Sequence, residues 1–244
     1  MIVLFTDFGW NGPYLGQVKA VLRRMAPDAD IIDLLADAPP HNPKAAAYLL
    51  AALLDGFPRG SVFLCVVDPG VGGERTAGII EAEGRWFVGP DNGLFELVVR
   101  RARGEVTWHE ILWRPATLSA TFHGRDLFAP VAANLAQGRL PRCAARPIDQ
   151  IRRRDWPEDL AEIVYIDGFG NAMTGIRAST LPPETLLNVN QVDLSFADTF
   201  SKVPLGQAFW YENSSGLVEI AINQGRTDQT LGLEIGSTVR IASP

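Results

Sequence analysis

The stretch IVLFTDFGWNGPYLGQVKAVLRRMAPDADIIDL, residues 2–34, decides the fold. Its opening run, Ile2-Val3-Leu4-Phe5-Thr6, is short, apolar and branched, the pattern of a strand buried on both faces. Leu15, Val18, Val21, Leu22 and Met25 then recur at helical spacing across Tyr14–Met25. A second apolar run follows at Asp30–Leu34. Working outward, Pro43–Leu54 reads as another helix, with Pro43 suited to its first turn, and Val62–Val67 as a third strand. Strand, helix, strand, helix, strand in that order implies a parallel sheet with right-handed crossovers. Thr76–Glu83 and Arg85–Val88 read as a hairpin turning at Glu83-Gly84. Asn92–Arg103 and Gly124–Gln137 read as helices, the second ended by Gly138.

The character changes after Arg139. Pro141, Pro147 and Pro157 punctuate a stretch that also carries Arg152-Arg153-Arg154, as a solvated linker would. From Glu162 onward short alternating segments recur at Ile163–Ile166, Leu187–Val189, Ala208–Tyr211, Leu217–Ile222 and Thr238–Ile241. Turn residues separate them, the signature of a small antiparallel sheet or barrel. The expected organisation is an α/β domain over residues 1–150 followed by an all-β domain over residues 160–244.

Composition removes several function classes. The 244 residues are 47% apolar and 20% charged, an ordinary globular balance. A formal net charge of -6 argues against a nucleic-acid partner, which needs a basic face. Cys65 and Cys143 form no CxxC pair, and the three histidines form no HExxH, so no metal site is expected. No apolar run is long enough to cross a bilayer and no secretory pattern opens the chain, so a cytoplasmic protein is the expectation.

Polar motifs cluster after the strands, where doubly wound sheets bind ligands. Asp7, in Thr6-Asp7-Phe8-Gly9, can accept both hydroxyls of a ribose or simply cap a turn. In Asp68-Pro69-Gly70-Val71-Gly72-Gly73-Glu74-Arg75 a tight glycine loop lets Arg75 fold back toward Asp68, for chemistry or as a structural ion pair. The loop lacks both GxGxxG and P-loop spacing. His123 precedes Gly124, which would let a ligand approach the backbone. Farther on, Asp167-Gly168-Phe169-Gly170-Asn171 offers an amide able to read a base edge, or an Asx turn. The stretch from Asn213 to Gly225 places hydroxyls before a strand and amides after it.

Taken in order, TDFG, DPGVGxxR, GPDNGL, FHGRD, DxFGN and NSxGxLEIAxN, read as the last with Val218 in its leucine position, resemble the S-adenosylmethionine hydroxide adenosyltransferases, relatives of the fluorinase and chlorinase. The resemblance runs from Ile2 to Gly225. It implies a Rossmann-like N-terminal domain with a mainly parallel sheet and helices on both faces, a C-terminal β-barrel, and a homotrimer with sites between subunits. It implies hydrolysis of S-adenosylmethionine to adenosine and methionine with no cofactor. Asp68, Arg75 and His123 fall on the catalytic triad and Asp7 on the ribose carboxylate. Asp167 and Ser214 fall on contacts to the methionine end, with Ser215 and Gly124 near it. Asn171 and Gln224 fall on contacts to adenine, Phe169 and Phe196 on rings packed against the base, and Glu219 is an additional substrate contact.

These residue types suit the chemistry. A neutral thioether leaves a sulfonium without acid assistance, so the enzyme must supply an aimed, dehydrated nucleophile at C5′. In this reading Asp68 and His123 orient and partly deprotonate water while Arg75 holds Asp68. Two rivals remain: a halide-using relative, against which stands the carboxylate of Asp68, and a binding module without turnover, against which stands the triad itself. His41, Asn11 with Gly12, and Ala36 depart from residues common in the family.

Overall fold

The structure, a computed structural model, describes residues 1–242. The chain forms two compact units, Met1–Arg153 and a second from Arg154 onward.

The first unit contains β1 (Ile2–Thr6), α1 (Tyr14–Met25), β2 (Ile31–Leu35), α2 (Pro43–Ala52), β3 (Val62–Val66), β4 (Ala77–Ala82), β5 (Arg85–Pro90), α3 (Glu96–Arg101), β6 (Val106–Ile111), α4 (Ala129–Ala136) and β7 (Cys143–Arg146). They build a seven-stranded sheet in the order β2-β1-β3-β5-β4-β6-β7. The four strands β2, β1, β3 and β5 run parallel, and β4, β6 and β7 extend the sheet by antiparallel pairing. Every residue of β1 and β3 is buried, which explains why neither strand alternates. Ile2, Leu4, Val62 and Leu64 share a core with Val18 and Leu22 of α1 and with Val131 and Leu135 of α4. The pleat turns Phe63 to the other side, where its ring stacks on Phe87 at 5.0 Å. Crossovers leave β1 in one direction for β2 and reach β3 on its other side, so a switch point opens between β1 and β3. Thr6 pairs with Val66 at that point, which delivers Asp7 and Asp68 from the same end of adjacent strands.

Two expectations for this unit change. The helix expected from Asn92 begins at Glu96, because Gly93 takes a φ of 98° and the Asn92 side chain accepts the Leu94 N–H in a turn. The stretch expected as a solvated linker instead contains β7 and a helical turn at Ile148–Ile151. Arg152 within it is also not a solvated end. The Glu96 side chain, wholly buried, accepts hydrogen bonds from Arg100, Arg152 and the backbone of Arg153. A buried carboxylate needs such partners, and the basic run supplies them.

The second unit contains β8 (Leu160–Ile166), β9 (Ala172–Arg177), β10 (Leu186–Val189), β11 (Val192–Leu194), β12 (Ala208–Glu212), β13 (Leu217–Ile222) and β14 (Arg240–Ala242). They form two antiparallel sheets, β12-β13-β9-β8 and β11-β10-β14, around a core that includes Trp210, Ile220 and Leu187. No closed sheet is present among the described residues. Single bridges, Glu162 with Thr238 and Phe196 with Trp210, join the sheets where a barrel would need continuous ladders. With three residues each, β11 and β14 are too short to carry a ladder around the ring.

Candidate active site

At its switch point the first unit brings Asp68, Arg75 and His123 together. Arg75 donates from Nε to both Asp68 oxygens at 3.1 Å, and its Nη2 reaches Oδ2 as well. The same Nη2 stands 2.9 Å from His123 Nδ1. Arginine is only a donor, so His123 accepts at Nδ1, and its neutral ring carries the proton on Nε2. The Asp68 carboxylate is only 4% exposed, which strengthens these charge-assisted contacts. Phe128 lies beneath the guanidinium, 5.3 Å from centroid to Cζ. Burial lowers the His123 pKa below its ordinary value, and the Arg75 charge adds to that. Asp7 accepts the His41 N–H at 3.1 Å, and burial raises its pKa despite that bond. His41 adopts a left-handed φ of 55° where it makes this contact.

Local structure explains how these groups meet. The Asp68–Arg75 loop touches Ala120, where a Cβ on Gly72 would stand 2.4 Å from the carbonyl oxygen, and Gly72 has a φ of 79°. His123 caps a π-helical turn, Gly124–Phe128, that leads into α4, a form common at functional sites. Gly124 does not open the backbone to a ligand as expected. A Cβ there would come 2.8 Å from Phe8 Cζ, so the absent side chain makes room for that ring. Phe122 packs edge to face against both Phe8 and Tyr14.

The second unit holds a cavity of about 740 Å³. Asp167, Phe169, Asn171, Ser214, Glu219 and Gln224 all line it, together with Met173, Phe200 and Tyr211. Asp167 Oδ1 accepts the N–H groups of Phe169 and Asn171, each at 2.9 Å, which shapes the loop but leaves Oδ2 with only a long 3.3 Å contact to Asn171. Glu219 is buried with both oxygens engaged, one by the Tyr211 hydroxyl and the other by Asn213 Nδ2 at 2.8 Å. Burial raises its pKa, and burial also raises that of Tyr211. Phe169 is 81% exposed at the rim, and Gln224 turns the chain with a φ of 57°. Two expected residues lie elsewhere. Phe196, half-buried, packs on Trp210 at 4.8 Å against the core of the unit, and Ser215 donates its backbone N–H to Asn213.

Two family models account for nearly all of the chain. The SAM hydroxide adenosyltransferase N-terminal domain matches residues 2–144, and the C-terminal domain of the same family matches residues 161–240. The chain belongs to the SAM hydroxide adenosyltransferase family. It is 39% identical, over 98% of both chains, to a protein of Thermus thermophilus named (R)-S-adenosyl-L-methionine hydrolase. One of the same name from Salinispora arenicola is 35% identical over 98% of this chain and 96% of its own. A fluorinase of Nocardia brasiliensis is more distant, at 25% over 99% and 96%. Among solved structures, a conserved protein of Thermotoga maritima superposes with a TM-score of 0.84 at 32% identity, covering all of both chains.

Within this SAM hydroxide adenosyltransferase, several contacts escaped the motif reading. Asn213 Oδ1 accepts the N–H groups of Ser215 and Leu217 and so builds the turn that presents Ser214. Tyr211 and Phe200 add aromatic wall to the cavity, and alternation in β12 was the signal available for Tyr211. The pair Asp91-Asn92, within the GPDNGL motif, contacts both ends of the Asp68–Arg75 loop.

Proposed function

We propose that this protein hydrolyses S-adenosylmethionine to adenosine and methionine, with the (R)-sulfonium epimer as substrate. The observation that carries the reading is the Asp68–Arg75–His123 cluster beside Asp7 at the sheet's switch point. The epimer follows the printed names of the relatives at 39% and 35% identity.

In this reading the three groups have different tasks. With Nδ1 accepting from Arg75, His123 offers Nε2–H to the attacking oxygen and so aims it rather than taking its proton. Asp68 is the proton acceptor, since Oδ1 receives only the 3.1 Å bond from Arg75 and keeps a lone pair. Water bonded to both attacks C5′ in line, the C–S bond breaks, its electron pair stays on sulfur, and methionine leaves neutral at that atom. The proton passes to Asp68 and then to solvent. Arg75 favours the hydroxide-like charge that develops on the oxygen. Asp7 holds the ribose hydroxyls, while Asp167 and Ser214 take the methionine end. Asn171, Gln224 and the Phe169 ring take adenine. No cofactor enters the reaction. Glu219 shapes the recognition site through Asn213 and Tyr211 instead of touching substrate.

The two sets of groups lie on separate units, and Phe169 exposes its ring. Both features suit a homotrimer in which the first unit of one subunit and the second unit of another complete each site. The two single-bridge seams of the second unit suit a barrel with interrupted edges. No helix of the described residues is long and apolar enough to cross a membrane, in keeping with a cytoplasmic enzyme. A fluorinase-like reaction is disfavoured because Asp68 would repel a halide.

The test is incubation of each sulfonium epimer separately in ¹⁸O-labelled water, followed by mass spectrometry. Label in the adenosine 5′-hydroxyl, formed faster from the (R)-epimer, is expected. A 5′-halo product with added halide, or no turnover with either epimer, would overturn the reading.

A further inference from the structure

The turn after β5 touches the catalytic loop at both of its ends. Asn92 donates its side-chain amide to the Val67 carbonyl at 2.8 Å, immediately before Asp68. Asp91 accepts the Thr76 hydroxyl at 2.9 Å, immediately after Arg75, and its own N–H donates to the Thr76 carbonyl at 3.0 Å. The remaining oxygen of Asp91 faces Arg153 Nη2 at 3.6 Å. Its geometry is itself constrained. Asn92 Oδ1 accepts the Leu94 N–H, and Gly89 just upstream admits no side chain, since a Cβ would meet the Cys65 carbonyl oxygen at 2.2 Å.

We infer that Asp91, Asn92 and Thr76 are positioning residues that clasp the Asp68–Arg75 loop, so that one guanidinium can bond Asp68 and His123 at once. The loop holds three glycines between its two functional side chains, and such a segment has little stiffness of its own. Fixing its two ends sets where Arg75 stands. The third restraint, the approach of Gly72 to Ala120, ties the middle of the loop to the segment that precedes His123. A small displacement of a positioned group is enough to cost much of the rate. The inference rests on the reading that Asp68, Arg75 and His123 surround the reacting carbon.

The test compares Thr76→Val, which keeps shape and removes the hydroxyl, with Thr76→Ser, which keeps the hydroxyl, and with Asn92→Ala. Thr76→Val and Asn92→Ala are each expected to lower kcat about tenfold or more and to leave KM within about threefold. Thr76→Ser restores turnover to within about threefold of the parent. A second reading comes from the His123 imidazole by NMR, a signal that mere loss of stability would not move. Asp68, Arg75, Arg114 and Asp126 are the charged groups acting on it. With Arg75 displaced, its pKa rises toward the ordinary value while burial still holds it down. The inference is overturned if Thr76→Val and Asn92→Ala both turn over within twofold of the parent with an unmoved His123 titration. It is equally overturned if Thr76→Ser loses as much activity as Thr76→Val. Asp68→Asn separates the two levels: if it stays fully active, the reading of the triad fails, whereas its inactivity beside an active Thr76→Val breaks only the clasp.

Discussion

The two units solve different problems with polar groups. At the switch point of the first, side chains bond to one another, with Arg75 linking Asp68 to His123. At the cavity of the second, Asp167 and Asn213 bond instead to turns of the backbone: Asp167 to Phe169 and Asn171, Asn213 to Ser215 and Leu217. The first arrangement fixes the direction and charge of a few atoms. The second fixes the shape of a wall. Losing a group from the first therefore removes transition-state stabilisation, and losing one from the second weakens binding to substrate and transition state alike.

The most severe way to break the contrast is at the hub. Asp68→Ala removes the proton acceptor and leaves Arg75 without its main partner, so kcat should fall about 10²- to 10⁴-fold. Arg75→Lys should lose nearly as much, because a point-like ammonium cannot bond two Asp68 oxygens and His123 together. Adenosine affinity, measured by calorimetry, should stay within about threefold in both variants, since the base-reading groups sit on the other unit. Loss of adenosine affinity in step with kcat would erase the division of labour.

A milder perturbation uses pH. Burial, then repulsion from Arg75, lowers the His123 pKa from 6.5, so the neutral ring persists into mildly acid solution. Turnover should hold below pH 6.5 and fall only when the ring protonates, because imidazolium cannot accept the Arg75 bond. Stability carries the same sign. Between the folded and unfolded values the unfolded chain binds more protons, so this contribution is complete above about 6.5 and is lost as pH falls through the folded value. A kcat/KM profile with its acid limb at or above 6.5 would mean that neither burial nor Arg75 lowers the His123 pKa in solution.

How much of this was legible depended on whether the signal was local. The strand Ile2–Thr6 and the helix Tyr14–Met25 match their sequence reading to the residue, since apolar periodicity there coincides with burial. The start of α3 did not, because the Asn92 turn competes with helix for the same backbone. β7 has the sequence Cys143-Ala144-Ala145-Arg146, half exposed and without alternation, so nothing in it announces a strand. Arg152 looks solvated in the sequence because its partner, Glu96, lies 56 positions away and gives no hint of burial in its own segment. At the site, residue types at motif positions carried far. Gly124 shows the limit, being in the right place with Phe8 rather than a ligand filling the space above it.

The smallest expected effect sharpens the comparison within the second unit, between two phenylalanines that the motifs treat alike. Phe196 is half-buried and packs 4.8 Å from Trp210 against the core, whereas Phe169 is 81% exposed at the cavity rim. Truncating Phe196 to alanine strips a half-buried ring from the face of Trp210 and should cost about 1–2 kcal/mol of stability. Any change it makes in KM follows from that loss. Phe169→Ala removes a ring that buries almost nothing in its own unit, so melting should shift by no more than about 0.5 kcal/mol equivalent. What the ring does for function must then appear in binding, as a rise in KM of about tenfold with kcat preserved, the scale of one aromatic contact. Paired melting curves and steady-state kinetics separate the two. If Phe169→Ala leaves KM unchanged, its exposure is not that of a base-stacking ring, and adenine must be held by Asn171 and Gln224 without it.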